Sequence, residues 1–133
     1  MNRCRGQALL ELALCAPVIL VLGLGAVAVV QIFDAESGLQ AATDAAASAA
    51  TRAPDAGSAA ATAQKTFDSV AESYPLHSAN LNVDVSDFVR GSSLTADSSA
   101  VVDIAGESIA FLPAHITLRA HATAVIERYR SRP

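Results

Sequence analysis

The sequence has no tryptophan, two tyrosines and four phenylalanines among its 133 residues. Aromatic rings bury more area than any other side chains, so a thick aromatic core is excluded. Apolar residues still reach 52% and mean hydropathy is +0.37. Much of that content lies in the first quarter of the chain, and much of the rest is alanine, which buries little area per residue. A thin core supplies little stability by itself, and the protein is expected to lean on a membrane and on partner subunits.

Cysteine is scarce too. Cys4 precedes the hydrophobic run and Cys15 lies inside it, so the two are not placed to pair, and cysteine usage says little about redox compartment. The formal net charge of -4 argues against nucleic acid as a partner. Arg128, Arg130 and Arg132 could touch phosphates but read better as a solvated tail. No Cys-x-x-Cys, Gly-rich phosphate loop or Gly-x-Ser-x-Gly is present. His115 and His121, on one face of an extended strand, would stand ~20 Å apart, too far to share a metal. Serines and aspartates from Ser92 to Asp103 read as turn formers rather than as a nucleophile with its base. No enzyme activity, cofactor or metal is therefore expected.

What the chain does have is one long apolar run. From Leu12 to Phe33 the only polar side chain is Gln31. As a helix these residues cover ~33 Å, against a bilayer core of ~30 Å. Arg3 and Arg5 precede the run, and Asp34 and Glu36 follow it. The Lys/Arg bias holds the N-terminus in the cytoplasm and sends the remainder out. Pro17 is a candidate kink. Gly23, Gly25 and Ala26 offer small residues against which another helix can approach.

Glu11 stands at the cytoplasmic edge of this run, where a carboxylate carried to the bilayer centre costs roughly 2.5–3.5 kcal/mol. It is the fifth residue after Gly6, at the end of a short basic leader. Cleavage after Gly6 would give Gln7 a free α-amino group, and Glu11 of one subunit could pair with the Gln7 amine of a neighbour. The pair would neutralise both charges and set the axial register between packed helices.

Arg5-Gly6, Leu10-Glu11-Leu12-Ala13-Leu14 and Pro17 resemble the N-terminus of TadE-like proteins, minor pseudopilins of tight-adherence (Flp) pilus systems. The resemblance covers residues 5–33. Gln7 stands where type IV pilins commonly carry Phe, and Leu12 where major Flp pilins usually carry Tyr; both departures favour a minor component. The resemblance implies processing by a prepilin peptidase between Gly6 and Gln7, and Glu11 and Gln7 as assembly residues. Arg3 and Arg5 would be the leader charge, and Leu14, Ile19 and Val27 the helix–helix surface. It implies pilin or pseudopilin subunits and assembly platform proteins as partners.

Three alternatives compete. Ala26-Val27-Ala28 fits a secretory signal peptide cut after Ala28, which would leave a secreted or anchored binding domain and Glu11 without a purpose. Lipoprotein processing at Cys15 is opposed by Leu14, which is large for that cleavage site. A plain anchor would have Glu11 snorkelling to the interface.

Beyond the membrane, residues 35–63 are alanine-rich, and alanine is the best helix former. The anchor helix is expected to run on to about Arg52 and to end near Pro54 and Gly57. A second helix, Ser58 to Ser73, carries Phe67, Val70 and Tyr74 at helical spacing, to pack on a following sheet. Leu81, Val83 and Val85 alternate with polar residues as a half-buried strand does. Gly91-Ser92-Ser93 reads as a loop. Further strands are expected at Ser99–Ile104, Ile109–Leu112 and Ile116–Ile126, the last with Ile116, Leu118, Ala120 and Ala122 on one face. The fold class is therefore α+β: a long N-terminal transmembrane helix extended by an Ala-rich helical region, then a small antiparallel sheet, pilin-like. Its expected parts are a cytoplasmic leader (1–6), a membrane helix (7–33) and an extracytoplasmic domain (34–133), in the plasma (inner) membrane or within a pilus.

Overall fold

The structure is a computed structural model, and it describes residues 3–104 and 115–126. Its elements in chain order are α1 (Arg3–Ala50), α2 (Ala56–Ala71), β1 (His77–Asp84), β2 (Ser93–Asp103) and β3 (His115–Val125). The strands form an antiparallel sheet in the order β1-β2-β3. This is the expected α+β arrangement. The expected strand at Ile109–Leu112 and the Arg128, Arg130 and Arg132 cluster lie outside the described residues. The chain divides into two compact units, Met1–Gln31 and Ile32–Pro133.

The first unit is the N-terminal part of α1. Leucine, alanine and valine dominate it, and the helix passes through Pro17 without ending. Proline removes one intrahelical hydrogen bond there, the one its own nitrogen would give to Ala13. Leucine side chains are about two-thirds exposed at Leu9, Leu14 and Leu22 alike. A helix that is apolar all round belongs in an apolar surrounding.

In the second unit the rest of α1 buries one stripe: Ala35, Leu39, Ala42, Thr43, Ala46, Ala47 and Ala50. Their steps of three and four residues keep one face inward. α2 does the same with Ala59, Ala63, Phe67 and Ala71. It begins at Asp55, the N-cap, whose carboxylate accepts from the Ser58 N–H at 2.8 Å. Ser58 is thus the third residue of the helix rather than its start, because the capping box outweighs the breaking tendency of Gly57. Tyr74 also differs from expectation. It lies beyond the end of α2, and its ring sits against Gly38 of α1, filling the space a Cβ there would need.

Two strands are longer than their hydropathy suggests. In β2 the inward residues are Leu94, Ala96, Ser98, Ala100 and Val102, all buried. Alanine and serine at the inward positions mask the period of two, so the segment from Ser93 reads as polar loop and is strand instead. Among the serines and aspartates expected to form turns, only Ser92 does so: its hydroxyl donates to the Val89 carbonyl at 2.6 Å. Gly91, with φ 86°, turns the chain there. β1 begins at His77, four residues before Leu81, through an irregular register between His77 and Asn80 that holds Ser78 at φ 51°. β3 lies within one residue of expectation, and Ala122 on its inward face is buried.

The largest fully buried side chains are Phe67, Leu39, Leu94, Val102 and Thr43. Fully burying a Leu, Val or Phe stabilises by ≈ 1.5–3 kcal/mol, so four side chains carry much of the hydrophobic gain. Each buried alanine adds much less, because its side chain is a single methyl group. Thr43 donates to the Leu39 carbonyl at 2.7 Å, and its oxygen lies 2.6 Å from that of Ser98. With its only proton committed to Leu39, Thr43 accepts from Ser98, so a buried hydroxyl relay ties α1 to the middle strand. Gln40 adds a second tie, donating to the His121 carbonyl at 3.1 Å.

Candidate membrane and assembly site

Gly6, Gln7 and Glu11 all lie within α1. The Gly6–Gln7 bond is inside the helix, and a Cβ added at Gly6 would meet nothing within 4 Å. Gln7 and Glu11 are four residues apart, so they share a face one turn apart, with ~5–6 Å between their Cβ atoms. Helical Cβ atoms tilt toward the N-terminus, which aims Glu11 back toward the level of Gln7. Both residues are exposed, and Glu11 makes no ion pair among the described residues. Arg3 and Arg5 stand in the first turn of the same helix.

The expected packing surfaces divide. At ~100° per residue, Leu14, Ile19 and Val27 ring the helix rather than share one face, with exposures of 66%, 66% and 55%. Gly23 and Ala26, three apart, share a side, and Gly25 points ~160° away from Gly23. The helix therefore has no single apolar seam. It is long and apolar enough to cross a membrane, and its exposed girdle runs from Leu9 to Phe33.

The geometry at the other end of the chain is polar. His121 Nδ1 lies 2.7 Å from Asp97 Oδ1, its cross-strand neighbour, and its Nε2 lies 3.2 Å from the Thr123 hydroxyl. Asp103 lies 3.5 Å from His77 and 3.9 Å from His115. All of these side chains are exposed, and no group of three or more His, Cys, Asp or Glu among the described residues is placed to hold a metal. These pairings escape sequence reasoning because they depend on strand register, which sets Asp97 opposite His121 and Asp103 opposite His115. Hydrogen bonds hold two carboxylates below the usual range: Asp55 through the Ser58 backbone and then its side chain, and Asp84 through the Ser86 side chain and then its backbone.

The comparison with known families finds a match within the same apolar helix, α1. Residues 6–48 match the family model of TadE-like proteins. The matched segment is about a third of the 133 residues and lies wholly within α1. It contains the Leu10-Glu11-Leu12-Ala13-Leu14 run, Pro17 and the whole apolar girdle, so the resemblance read from those residues holds over this stretch. No curated protein and no solved structure matches the chain.

Proposed function

We propose that the chain is a minor pseudopilin of a tight-adherence pilus or a related secretion pseudopilus. It is made with a leader of residues 1–6, cut by a prepilin peptidase after Gly6, and held in the plasma membrane by residues 7–33. Its N-terminus faces the cytoplasm and residues 34–133 lie outside. The observation that carries this reading is the TadE-like match, which begins at Gly6 and encloses Glu11 at the edge of an exposed apolar helix. A carboxylate there is costly alone, and a neighbouring subunit's Gln7 amine is the cation that processing would create. Glu11 then sets register during assembly, with pilin subunits and platform proteins as partners. The role is structural, with no catalytic step and no cofactor.

The test is the N-terminal residue of the mature protein, read by mass spectrometry of the membrane fraction. A chain starting at Gln7 supports the proposal. A chain starting at Val29 would mean ordinary secretion, with Glu11 discarded, and would end it.

A further inference from the structure

α1 runs without a break from Arg3 across the Gly6–Gln7 bond. In an α-helix the Gln7 N–H is bonded to the Arg3 carbonyl and the Gly6 carbonyl to the Leu10 N–H. The bond to be cut is thus held on both sides by the helix's own backbone hydrogen bonds. A peptidase needs both faces of a scissile peptide group, with its flanks free to pair in extended form, as extended segments do when they add to an enzyme's strands. The bond is not presented that way while the helix is closed.

The same residues make this end of the helix weak. Glycine is the least favourable helix residue after proline, and it occupies the position before the cut. The first turn holds no acidic residue and carries two arginines, whose charge opposes the positive N-terminal end of the helix dipole. From Ala8 onward the sequence Ala-Leu-Leu-Glu-Leu-Ala-Leu is made of good helix formers. The change from weak to strong helix falls at the Gly6–Gln7 junction.

We infer that α1 must open over its first two turns, to about Ala8, before the peptidase can cut, and that Gly6, Arg3 and Arg5 keep this opening easy. The leader is then a conformational element as well as a recognition sequence. This rests on the processing reading given above. Opening precedes cutting, so the rate follows the population of the open form.

The experiment uses the full chain in liposomes with a purified prepilin-type peptidase, following the first-order rate and the cut position together. Ala8→Gly weakens the helix beside the bond and is expected to raise the rate about three- to fivefold. Cys4→Ala strengthens the first turn and is expected to lower it about twofold. Ala41→Gly, on the same helix but far from the bond, is expected to leave it unchanged. Hydrogen exchange without peptidase should show faster exchange at Gly6–Ala8 in Ala8→Gly than in wild type. Equal or slower cutting of Ala8→Gly after Gly6, or rates that ignore both Ala8→Gly and Cys4→Ala, would overturn the opening step and leave processing intact. No cut after Gly6 in the wild-type chain would overturn the processing reading itself.

Discussion

The hydroxyl oxygens of Thr43 and Ser98 lie 2.6 Å apart between α1 and the middle strand, and both residues are buried. In a core of alanines this buried polar contact, together with Gln40 on the His121 carbonyl, links named turns of the helix to named residues of the sheet. Thr43→Val keeps the shape and removes the acceptor for Ser98. Leaving a buried hydroxyl unpaired costs ≈ 1–3 kcal/mol, so the variant is expected to unfold at a lower denaturant midpoint. Adding Ser98→Ala removes the orphaned group and is expected to restore part of the loss. Simple addition of the two single effects, measured by a double-mutant cycle, would show that the hydroxyls do not couple.

At Gly38 the Tyr74 ring packs directly against α1 and occupies the space a Cβ would need. Gly38→Ala brings the alanine advantage in helix propensity, about 1 kcal/mol, and an overlap with ring carbons at a buried position. Overpacking typically costs 1–3 kcal/mol, so a net loss of thermal stability is expected. Combining it with Tyr74→Ala removes the ring and should remove the overlap part of that loss. A rise in melting temperature for Gly38→Ala alone would mean that Tyr74 moves aside without cost.

Acid should weaken the start of α2. The carboxyl of Asp55 is held below its ordinary range by the Ser58 N–H and hydroxyl, so in the folded chain it stays charged at a pH where the unfolded chain takes up a proton. Its contribution is complete above the unfolded value near 3.9 and is lost as pH falls through the lower folded value. Asp55→Asn keeps a capping acceptor that does not titrate. The melting temperature of the wild type is expected to fall more than that of Asp55→Asn between pH 5 and pH 2.5.

Glu11 carries the assembly prediction. Glu11→Ala removes a charge from the edge of an apolar helix, so membrane insertion is expected to be unchanged or easier. Co-purification with other pilin subunits from detergent extracts is expected to drop sharply. Normal assembly by this variant would sink the pairing of Glu11 with the Gln7 amine.

Much of the architecture was legible because its signals are local. Alanine density and the apolar run predicted α1 to within two residues of its end at Ala50, and alternation predicted β3. What stayed hidden depends on contacts distant in sequence. Ala96, Ser98 and Ala100 face inward because a small-residue helix lies opposite them, so the inward face of β2 carries no hydropathy signal. The Asp97–His121 pair needs a register, and the Tyr74–Gly38 contact needs the return path of the chain. The processing and assembly roles of Gly6, Gln7, Glu11, Arg3 and Arg5 are read from the sequence and remain proposals. What needed the structure was that Gly6–Gln7 lies inside a closed helix.

The alanine-lined interior also decides how this domain is damaged by mutation. Ala42, Ala46 and Ala63 are fully buried and have no side-chain freedom to lose on folding. The familiar lesion, a cavity left by truncating a large side chain, has few places to arise. The hazard runs the other way: a larger side chain at these positions overpacks the core at a typical cost of about 1–3 kcal/mol, so genetic variation is filtered here by what is too large, and drift toward ordinary leucine-rich packing is opposed at every step.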